Sequence, residues 1–427
     1  MSDVPPIAPG AVRWIARTLE DAGYETWAVG GAVRDALLGR PSVDWDLATR
    51  ATPKQVRRTF RRTVPIGVEH GTVGVLARDG IMYEVTTFRR DVETDGRHAV
   101  VEFAERIEED LSRRDFTINA IAWHPLRDQL YDPFGGGADL NTRTLRTVGA
   151  AADRFREDYL RILRAVRFAG RFDLQIEDTT WAALTALTEY LPTLSPERIR
   201  EELMKVLSAD ARPSRALGLY RDAGINTVLY PEIDELADSH WEKAVKIVEA
   251  LPVNRPMLRL GALLRPVDDA SAAAFLVRLR LSNADTDAVA HLSGAPELPP
   301  PTPEEEVQRR WLSRHGGQVM KGVARLDLAA ARAGCADRSS TEVVEAWRAM
   351  RAVLRSCPPL VVGDLAIDGR DLIALGLKPG PVFRDVLQQL LDWVLGDPSR
   401  NERDGLLLRA EEVTRRLDSG RHSEGRS

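Results

Sequence analysis

The sequence predicts an α+β protein in which a mixed region of about 150 residues precedes an all-helical remainder. Strands are predicted over 73–77 and 81–87, around the turn at Asp79-Gly80, and over 24–29. Helices are predicted over 11–23, which Gly23 ends, and over 32–39. From Asp153 onward, apolar residues recur at helical spacing almost to the last residue.

The size and composition of the chain exclude several classes of protein. Its 427 residues are more than one compact core usually holds, so several domains are expected. Hydrophobic residues make up 44% and charged residues 29%, which is typical of globular proteins. Neither a signal peptide nor a membrane span is predicted, and the two cysteines, Cys335 and Cys357, have no metal-ligand spacing. We therefore expect a cytoplasmic protein without membrane contact.

The charge distribution is uneven along the chain. The formal net charge of −5 argues mildly against nucleic-acid binding, because nucleic-acid-binding domains usually carry a net positive charge. Local basic clusters can nevertheless bind phosphate in an acidic chain. Such clusters comprise Arg57, Arg58, Arg61 and Arg62, and then Arg154, Arg156, Arg161, Arg164, Arg167 and Arg171.

An aspartate pair, Asp44 and Asp46, is the sharpest chemical feature. In an extended segment, residues two apart point to the same side, so both carboxylates would face one site. Such a pair needs a cation, and hard divalent ions prefer oxygen ligands. The arrangement suits two-metal phosphoryl transfer. Glu84, in the apolar strand at 81–87, is a candidate third carboxylate; an ordinary solvent-facing residue is the alternative.

Two further groups suit phosphate and sugar binding. A glycine pair at 30–31 lies between a strand and a helix, where backbone N–H groups can approach phosphate, although a tight turn also needs glycine. In the second group, arginines suit bidentate phosphate contacts, and an aspartate and an asparagine could bond ribose hydroxyls. This group consists of Arg113, Arg114, Asp115 and Asn119.

Together these motifs resemble the bacterial tRNA nucleotidyltransferase and poly(A) polymerase family, class II of the polymerase-β-like nucleotidyltransferases. Six strings occur in the order typical of that family, and the strong match covers residues 25–235. The strings are GGAVRDALLGR (30–40), DWD (44–46), EEDLSRRDFTINAIA (108–122), DPFGGGADL (132–140), EDYLRILRAVRFAGRF (157–172) and SPERIREELMKVL (195–207).

The resemblance implies a fold and a domain order. A catalytic head with a mixed, polymerase-β-like sheet would span 1–150, and a helical neck with the nucleotide-selecting motif would span 151–235. A helical body would follow over 236–355, and a helical, tRNA-binding tail over 356–427. The GGGADL stretch at 135–140 would form the hinge between head and neck.

The resemblance also assigns roles to single residues. Asp44 and Asp46 would hold two Mg²⁺ ions, supported by Glu84. The triphosphate would contact Gly30, Gly31 and Arg34, while Arg113, Arg114, Asp115 and Asn119 would bind sugar and phosphate. The residues that would select the base are Glu157, Asp158, Arg161 and Arg164.

Base selection by Asp158 and Arg161 of the EDxxR motif agrees with hydrogen-bond chemistry. Three residues apart, the two side chains would share one helix face. An aspartate accepts from an exocyclic amine, and an arginine donates to a ring nitrogen. Cytosine and adenine offer that pair of groups, whereas guanine and uracil reverse both contacts. The alternative is an i,i+3 surface salt bridge.

Within the family, the string TVPIGVEHGTVGV (63–75) resembles the tRNA nucleotidyltransferases rather than the poly(A) polymerases. CC-adding members lack a loop between the Glu84 strand and the RRD motif. Here that segment is present at 88–109 and includes Asp95, Gly96, Arg97 and His98. We therefore expect addition of C, C and A to tRNA from CTP and ATP. The alternatives are A-only addition, CC-only addition, a poly(A) polymerase, an inactive tRNA-binding protein, or an enzyme that modifies a small nucleotide or antibiotic.

The carboxyl-terminal half departs from some relatives. Where many carry an HD phosphohydrolase motif, this chain has GALLRPVDD (261–269), and His240 lacks the expected partners, so a degenerate, metal-free body is predicted. The segment 364–407 resembles the tail that holds the outer acceptor and T arm of tRNA. Its candidate phosphate contacts are Lys378, Arg384, Arg400 and Arg403. No protein partner is predicted.

Overall fold

A computed structural model describes residues 6–42, 44–94, 99–209, 212–377 and 380–424. The chain divides into two compact units. The first comprises Met1–Glu235 together with Arg278–Arg280, and the second comprises Leu236–Val277 and Leu281–Ser427. In the described part of the chain, no helix is both long and apolar enough to cross a membrane.

Eleven strands are described, all in the first unit. They are β1 (Thr26–Val29), β2 (Asp46–Thr49), β3 (Thr63–Gly67), β4 (Thr72–Leu76), β5 (Met82–Thr87), β6 (Arg89–Thr94), β7 (Ala99–Phe103), β8 (Ala122–His124), β9 (Gln129–Tyr131), β10 (Thr144–Leu145) and β11 (Gln175–Ile176).

Helices of the first unit surround and follow these strands. They are α1 (Gly10–Asp21), α2 (Gly31–Leu37), α3 (Pro53–Thr59), α4 (Ile107–Ser112), α5 (Gly136–Thr142), α6 (Ala151–Glu157), α7 (Leu160–Phe172), α8 (Asp178–Leu187), α9 (Pro196–Ala209), α10 (Pro213–Asp222), α11 (Ile225–Leu229) and α12 (Pro231–Asp234).

The described part of the second unit is helical, without strands. Its helices are α13 (Asp238–Ala250), α14 (Pro256–Leu264), α15 (Asp269–Arg278), α16 (Asn283–Gly294), α17 (Glu306–Arg332), α18 (Ser340–Arg355), α19 (Gly369–Ala374), α20 (Pro381–Gly396) and α21 (Arg403–Glu424). Helix α17 is broken at Gly316, whose φ of 78° and ψ of 164° are not helical.

The main sheet has seven strands in the order β3-β4-β5-β2-β1-β8-β9. Strands β2 and β5 are parallel and the other neighbours are antiparallel, so the sheet is mixed, as the sequence predicts. Side chains on one face of β4 and β5, including Val73, Val85 and Tyr83, are buried, and α3 packs against these strands. The other face of the same strands carries the site described below.

The predicted elements of the amino-terminal region are confirmed, with shifts of up to two residues at their ends. Helix 11–23 corresponds to α1, and the strands predicted at 73–77 and 81–87 correspond to β4 and β5. In the part predicted to be all-helical, the two-residue strand β11 is an exception. It pairs in parallel with β10 through Leu145 and Ile176, and this ties the start of α8 to the end of the sheet-bearing region.

Residues Arg278–Arg280 belong to the first unit although the chain around them belongs to the second. The Arg278 guanidinium donates to both carboxylate oxygens of Glu232, at 2.9 and 2.6 Å, and to the carbonyl oxygen of Leu229. Arg280 donates to Glu197 Oε1 at 3.0 Å. These contacts anchor a distant stretch of sequence to α9 and α12.

Candidate active site

A cavity of about 590 Å³ lies in the first unit, between the open face of the sheet and helix α7. Its wall contains more arginines than carboxylates, which suits a polyanionic ligand. The predicted site residues that line it are Gly30, Gly31, Arg34, Asp46, Glu84, Arg113, Arg114, Asp115, Asn119, Asp158, Arg161 and Arg164.

The carboxylates Asp46 and Glu84 are neighbours on parallel strands. They lie one position before the paired residues Leu47 and Val85 of β2 and β5. Burial, then the nearby charges of Asp44 and Glu84, raise the pKa of Asp46 to about 6, although Arg114 acts in the opposite direction. Arg114 therefore does not fully offset the burial of Asp46 and the repulsion between the carboxylates, and a further cation would relieve that repulsion.

Asp44 precedes β2 and is exposed; it is not part of the cavity wall. Between the two aspartates, Trp45 is 2% exposed, its ring packs 5.8 Å from that of Trp123, and its Nε1 donates to the carbonyl oxygen of Ser42. The Trp45 side chain is thus buried between two aspartates that are not, which agrees with Asp44 and Asp46 on one side of an extended segment. Across the described residues, no group of three or more His, Cys, Asp or Glu side chains is close enough to hold a metal ion.

Gly30 forms the turn between β1 and α2 with a φ of 77° and a ψ of −141°. A Cβ atom at this position would lie 3.0 Å from Arg114 Nη1 and 3.7 Å from Asp46 Oδ2. The positive φ and this close approach both explain the glycine, which lets the backbone come near the carboxylate.

Arg114 is held in place from two sides. Its Nη2 donates to Asp110 Oδ2 at 3.1 Å, and its Nη1 donates to the carbonyl oxygen of Asn119 at 3.3 Å. Its Nε is buried, and no hydrogen-bond partner for it is found among the described residues. A buried donor without a partner is costly, so a phosphate oxygen in the cavity would satisfy this group.

A chain of buried and partly buried hydrogen bonds links the sheet-bearing region to helix α7. Arg34 Nη1 donates to Asn119 Oδ1 at 2.6 Å, and Asn119 Nδ2 donates to Asp115 Oδ1 at 2.9 Å. Arg164 completes the chain, because its Nη2 and Nε lie 2.6 and 2.8 Å from Asp115 Oδ2. Burial opposes ionisation of Asp115, but Arg164 and the hydrogen bond from Asn119 outweigh it, so the pKa of Asp115 lies below its usual value.

This network gives Asp115 and Asn119 protein partners rather than leaving them free for a ribose. Arg34 is similarly engaged: it is 4% exposed, and its Nε and Nη2 both donate to Asp35 Oδ1. Burial lowers the pKa of the Arg34 guanidinium, although Asp35 acts in the opposite direction. These residues hold the cavity wall together, and their contacts with nucleotide stay a prediction.

Two stacked phenylalanines of α7, Phe168 and Phe172, pack against the guanidinium groups of Arg34 and Arg164. Their ring centroids lie 6.0 Å apart, and the Arg34 guanidinium lies 4.3 Å from the Phe172 centroid. Arg164 lies 5.2 Å from the Phe168 centroid. These cation–π contacts place an apolar layer beneath the charged wall.

The EDxxR residues are arranged differently from the predicted single helix face. Asp158 lies between α6 and α7 with a φ of −158° and a ψ of 105°, whereas Arg161 lies in the first turn of α7. The prediction of an i,i+3 pair on one helix was therefore wrong, because the helix is interrupted at Asp158. Both side chains nevertheless reach the same cavity.

The two base-selecting candidates are each fixed by other groups. Asp158 Oδ2 accepts from Arg198 Nη2 at 2.7 Å, and its Oδ1 accepts from the backbone N–H of Leu160 at 3.1 Å. Arg161 Nη1 donates to Glu157 Oε2 at 2.5 Å and to the carbonyl oxygen of Arg154 at 2.9 Å. Glu157 is outside the cavity wall and acts here as the anchor of Arg161.

Sequence reasoning did not name ten of the residues that line the cavity, and these include three whose side chains contact predicted site residues. The three are Arg198, which pairs with Asp158, Asp110, which pairs with Arg114, and Phe168. All three lie within strings that carried the family resemblance, so a signal was present. Their partners are fixed by the tertiary fold and could not be read from spacing alone.

In the second unit, the predicted tail contacts differ in their availability. Arg384 lies exposed in the first turn of α20. Arg400 donates to the carbonyl oxygen of Trp393 at 3.0 Å, and Arg403 Nη2 lies 2.5 Å from Asp371 Oδ1. Lys378 lies outside the described residues.

The position predicted to replace an HD motif is occupied by an ion pair. Arg265 follows α14, and its Nη2 lies 3.2 Å from Asp327 Oδ1 of α17. Asp327 Oδ2 accepts from the backbone N–H of Leu298 at 2.9 Å. His240 is exposed at the start of α13. Polar contacts therefore occupy this position, and the metal-free body stays a prediction.

Comparisons with known proteins agree with this geometry. Three family descriptions match in succession: the poly A polymerase head domain over residues 26–146, the RNA and SrmB-binding site of polymerase A over 173–236, and tRNA nucleotidyltransferase domain 2 over 261–410. The CCA-adding enzyme of Geobacillus kaustophilus is 36% identical over 400 residues, which cover 91% of this chain and 93% of that enzyme.

Solved structures of CCA-adding enzymes are also similar to this chain. The Bacillus stearothermophilus CCA-adding enzyme in complex with CTP is 32% identical with a TM-score of 0.75, covering 97% of this chain and 100% of the other. A CCA-adding enzyme in complex with ATP is 25% identical with a TM-score of 0.66, covering 95% and 94%. The chain therefore belongs to the tRNA nucleotidyltransferase family of CCA-adding enzymes.

Proposed function

We propose that this chain adds C, C and A to the 3′ end of tRNA from CTP and ATP, without a nucleic-acid template. The observation that carries the proposal is that one cavity contains both the carboxylates suited to phosphoryl transfer, Asp46 and Glu84, and the candidate base-selecting pair, Asp158 and Arg161. Relatives named CCA-adding enzymes match over nearly their full length. The cytoplasm is the proposed compartment.

Asp44 and Asp46, with Glu84 beside them, would fit two Mg²⁺ ions once the triphosphate supplies further oxygen ligands. The fit rests on the raised pKa of Asp46, which burial and two neighbouring carboxylates cause, and on the preference of Mg²⁺ for oxygen ligands. When bound, such ions activate a hydroxyl nucleophile and neutralise charge on the triphosphate. Arg114, with its buried free Nε, would bind a phosphate oxygen beside them.

Base selection would use the fixed orientation of Asp158 and Arg161. Arg198 holds the carboxylate of Asp158 without using all its acceptor sites, so it can still accept from the exocyclic amine of cytosine or adenine. Arg161 Nη1 donates to Glu157 and to the carbonyl oxygen of Arg154, and its Nη2 donates to the carbonyl oxygen of Arg113, which leaves Nε and one N–H of Nη2 for a ring nitrogen. Guanine and uracil would set a carbonyl against the carboxylate and an N–H against the guanidinium, a mismatch that costs several kcal/mol.

This proposal predicts that breaking either contact relaxes selectivity. Asp158→Ala and Arg161→Ala should slow incorporation of CTP and ATP and narrow their lead over UTP and GTP, because the mismatch disappears with the attraction. Single-nucleotide incorporation with each of the four NTPs measures this. Asp153→Ala and Arg156→Ala, an exposed ion pair on α6, are matched controls that should leave selectivity unchanged. Equal loss of rate for all four NTPs would contradict the base-selecting role.

The extent of addition needs a separate assay. Asp95, Gly96, Arg97 and His98, which argue against CC-only addition, lie outside the described residues. The protein is incubated with tRNA ending at the discriminator base, at CC and at CCA, with CTP and ATP separately and together. Full CCA addition extends the first two substrates to CCA and stops. An A-only enzyme extends only the second, and a poly(A) polymerase continues beyond CCA.

We also propose the four-part division into head (1–150), neck (151–235), body (236–355) and tail (356–427), with the hinge at 135–140. In support, the boundary between the two compact units lies at 235/236. Of the candidate tRNA contacts in the tail, Arg384 has its charge exposed, whereas Asp371 partly neutralises Arg403. Arg384→Ala should therefore weaken tRNA binding more than Arg403→Ala in a filter-binding assay.

A further inference from the structure

The sheet face that carries Glu84 continues on β4 and β3 as an exposed apolar surface. Val64, Ile66 and Met82 are 45%, 42% and 47% exposed, respectively. On a sheet with one solvated face, polar residues are the usual occupants of such positions. The opposite face of β4 and β5 carries its own buried apolar set, Val73, Val75, Tyr83 and Val85, so these three exposed residues are not needed for the core. We call Val64, Ile66 and Met82 the β3–β5 surface.

Gly74 of β4 lies at the centre of the β3–β5 surface. A Cβ atom there would meet Ile66 Cδ1 at 2.7 Å and Met82 Sδ at 2.8 Å. The side chains from β3 and β5 therefore close over a glycine and form one continuous apolar layer. A flat apolar layer of this kind suits the face of a planar ring.

Strand register places the β3–β5 surface in line with the reacting groups. A row of residues crosses the sheet from Val29 to Val64. Val29 pairs with Asp46, Glu84 pairs with Gly74, and Gly74 pairs with Val64. Asp46 and Glu84 join the two halves, because each lies one position before the paired residues Leu47 and Val85. Val29 is followed directly by the glycine turn proposed to bind the triphosphate. The surface lies on the opposite side of the carboxylates from that turn. Val64 is about 10 Å from Glu84 across two strand spacings, and Met82 lies two residues before Glu84 on β5.

The in-line geometry of phosphoryl transfer indicates which substrate approaches the carboxylates over the β3–β5 surface. In phosphoryl transfer the attacking and leaving oxygens lie roughly in line on opposite sides of the phosphorus. If the pyrophosphate leaves toward the glycine turn, the attacking 3′ hydroxyl enters over β5 and β4. The nucleotides that precede that hydroxyl must then pass over β4 and β3.

We propose that the β3–β5 surface binds the unpaired 3′-terminal nucleotides of the tRNA primer, with their bases against Ile66 and Met82. The inference rests on the proposed function and adds the position of the second substrate. Apolar contact with base faces is sequence-tolerant, because every base has a π-face. That property suits a primer whose end changes from the discriminator base to C and then to CC. The exposed Arg61 and Arg62 directly precede β3 and supply charge complementary to the phosphates.

The test replaces the two side chains that close over Gly74. Ile66→Ser/Met82→Ser should weaken binding of tRNA with an unpaired 3′ end about tenfold. It should leave unchanged both the KM for CTP and the affinity for tRNA trimmed to a blunt acceptor stem. Ile66→Leu/Met82→Leu should retain binding and shows that the fold tolerates substitution here. Val277→Ser/Leu408→Ser, at 71% and 66% exposed positions of the second unit, is the matched control and should leave the preference for the unpaired end intact.

Three outcomes would overturn the inference. The first is that the serine variant keeps the wild-type preference for the unpaired end, and the second is that it loses affinity equally for trimmed and untrimmed tRNA. A change in sedimentation without a change in tRNA affinity would instead identify a second copy of the chain as the occupant. Failure of the proposed function is distinct, because the wild-type protein would then incorporate neither CTP nor ATP into tRNA.

Discussion

The ion pair between Arg167 of α7 and Glu202 of α9 offers a quantitative test of how the site is held together. Arg167 Nε lies 2.6 Å from Glu202 Oε2, and the two side chains are 8% and 1% exposed. Lys205 Nζ lies 3.0 Å from the other carboxylate oxygen. Helix α7 carries Arg161, and α9 carries Arg198, so this pair connects the two helices that orient the candidate base-selecting groups.

Glu202→Ala should lower the free energy of unfolding of the first unit by about 3–5 kcal/mol, because it leaves the Arg167 charge buried without a counter-charge. Both partners are less than 10% exposed, so screening by solvent does not reduce this figure. Arg167→Met/Glu202→Leu should recover most of the loss, since it removes both charges and keeps apolar volume. Asp153→Ala, at an exposed pair, should cost less than about 1 kcal/mol.

The pH dependence has a definite sign. Burial would raise the pKa of Glu202, but Arg167 and Lys205 outweigh it, and the pKa lies below the ordinary value of 4.5. A lowered pKa in the folded state contributes stability that is present above the unfolded-state pKa and lost as pH falls through the folded-state pKa. The difference in stability between wild type and Glu202→Gln should therefore be constant near pH 7 and shrink below about pH 4.5.

Urea unfolding measures these effects, with hydrogen exchange of α7 and α9 peptides to assign the transition to the first unit. With a slope of about 3 kcal/mol per molar urea, a loss of 4 kcal/mol lowers the midpoint by about 1.3 M. A Glu202→Ala midpoint within about 0.3 M of wild type would refute the reasoning. So would a double variant as unstable as the single one.

Three further predictions concern other parts of the chain. Asp44→Ala and Asp46→Ala should each reduce CTP incorporation by about 100-fold or more while tRNA binding is retained; more than a tenth of the wild-type rate in both would contradict their role as metal ligands. Gly136→Ala should lower the melting temperature, because the added Cβ would overlap the carbonyl oxygen of Thr117, and a cost of about 1–3 kcal/mol is expected; an unchanged melting curve would disprove this packing. No metal-dependent hydrolysis of 2′,3′-cyclic nucleotides is expected from the purified protein, because Arg265 forms an ion pair where an HD motif would bind metal; metal-dependent release of nucleoside monophosphate would show the opposite.

The sequence predicted the amino-terminal elements because their signals are local. Helix α1 has a clear apolar periodicity, and β4 and β5 alternate around a short turn. Short strands such as β10 and β11 could not be predicted, because two residues give no period and their pairing is a tertiary contact. The break at Asp158 was missed for a related reason: the apolar pattern of α6 and α7 continues across it.

For the candidate site, the motifs predicted which residues line one cavity, but not which protein groups each of them contacts. Asp115 was expected to contact ribose, yet it is 7% exposed and bonded to Arg164 and Asn119. Arg164 is 49 residues from Asp115 in the sequence and Asn119 is 4 residues from it. Motif spacing cannot predict a contact between residues as far apart as Asp115 and Arg164. Arg198 shows the same limit, because its role follows only from where α9 places it beside Asp158.

The return of Arg278–Arg280 to the first unit has a consequence for exchanging parts between related enzymes. A chimera that joins residues 1–235 of this chain to the remainder of a relative would carry the relative's residues at 278 and 280. Glu232 and Glu197 would then keep their charges but could lose the guanidinium groups that neutralise them. A three-residue graft at 278–280, made together with the junction at 235/236, would preserve these contacts and give hybrids in which a change of activity reflects the exchanged part and not a loosened first unit.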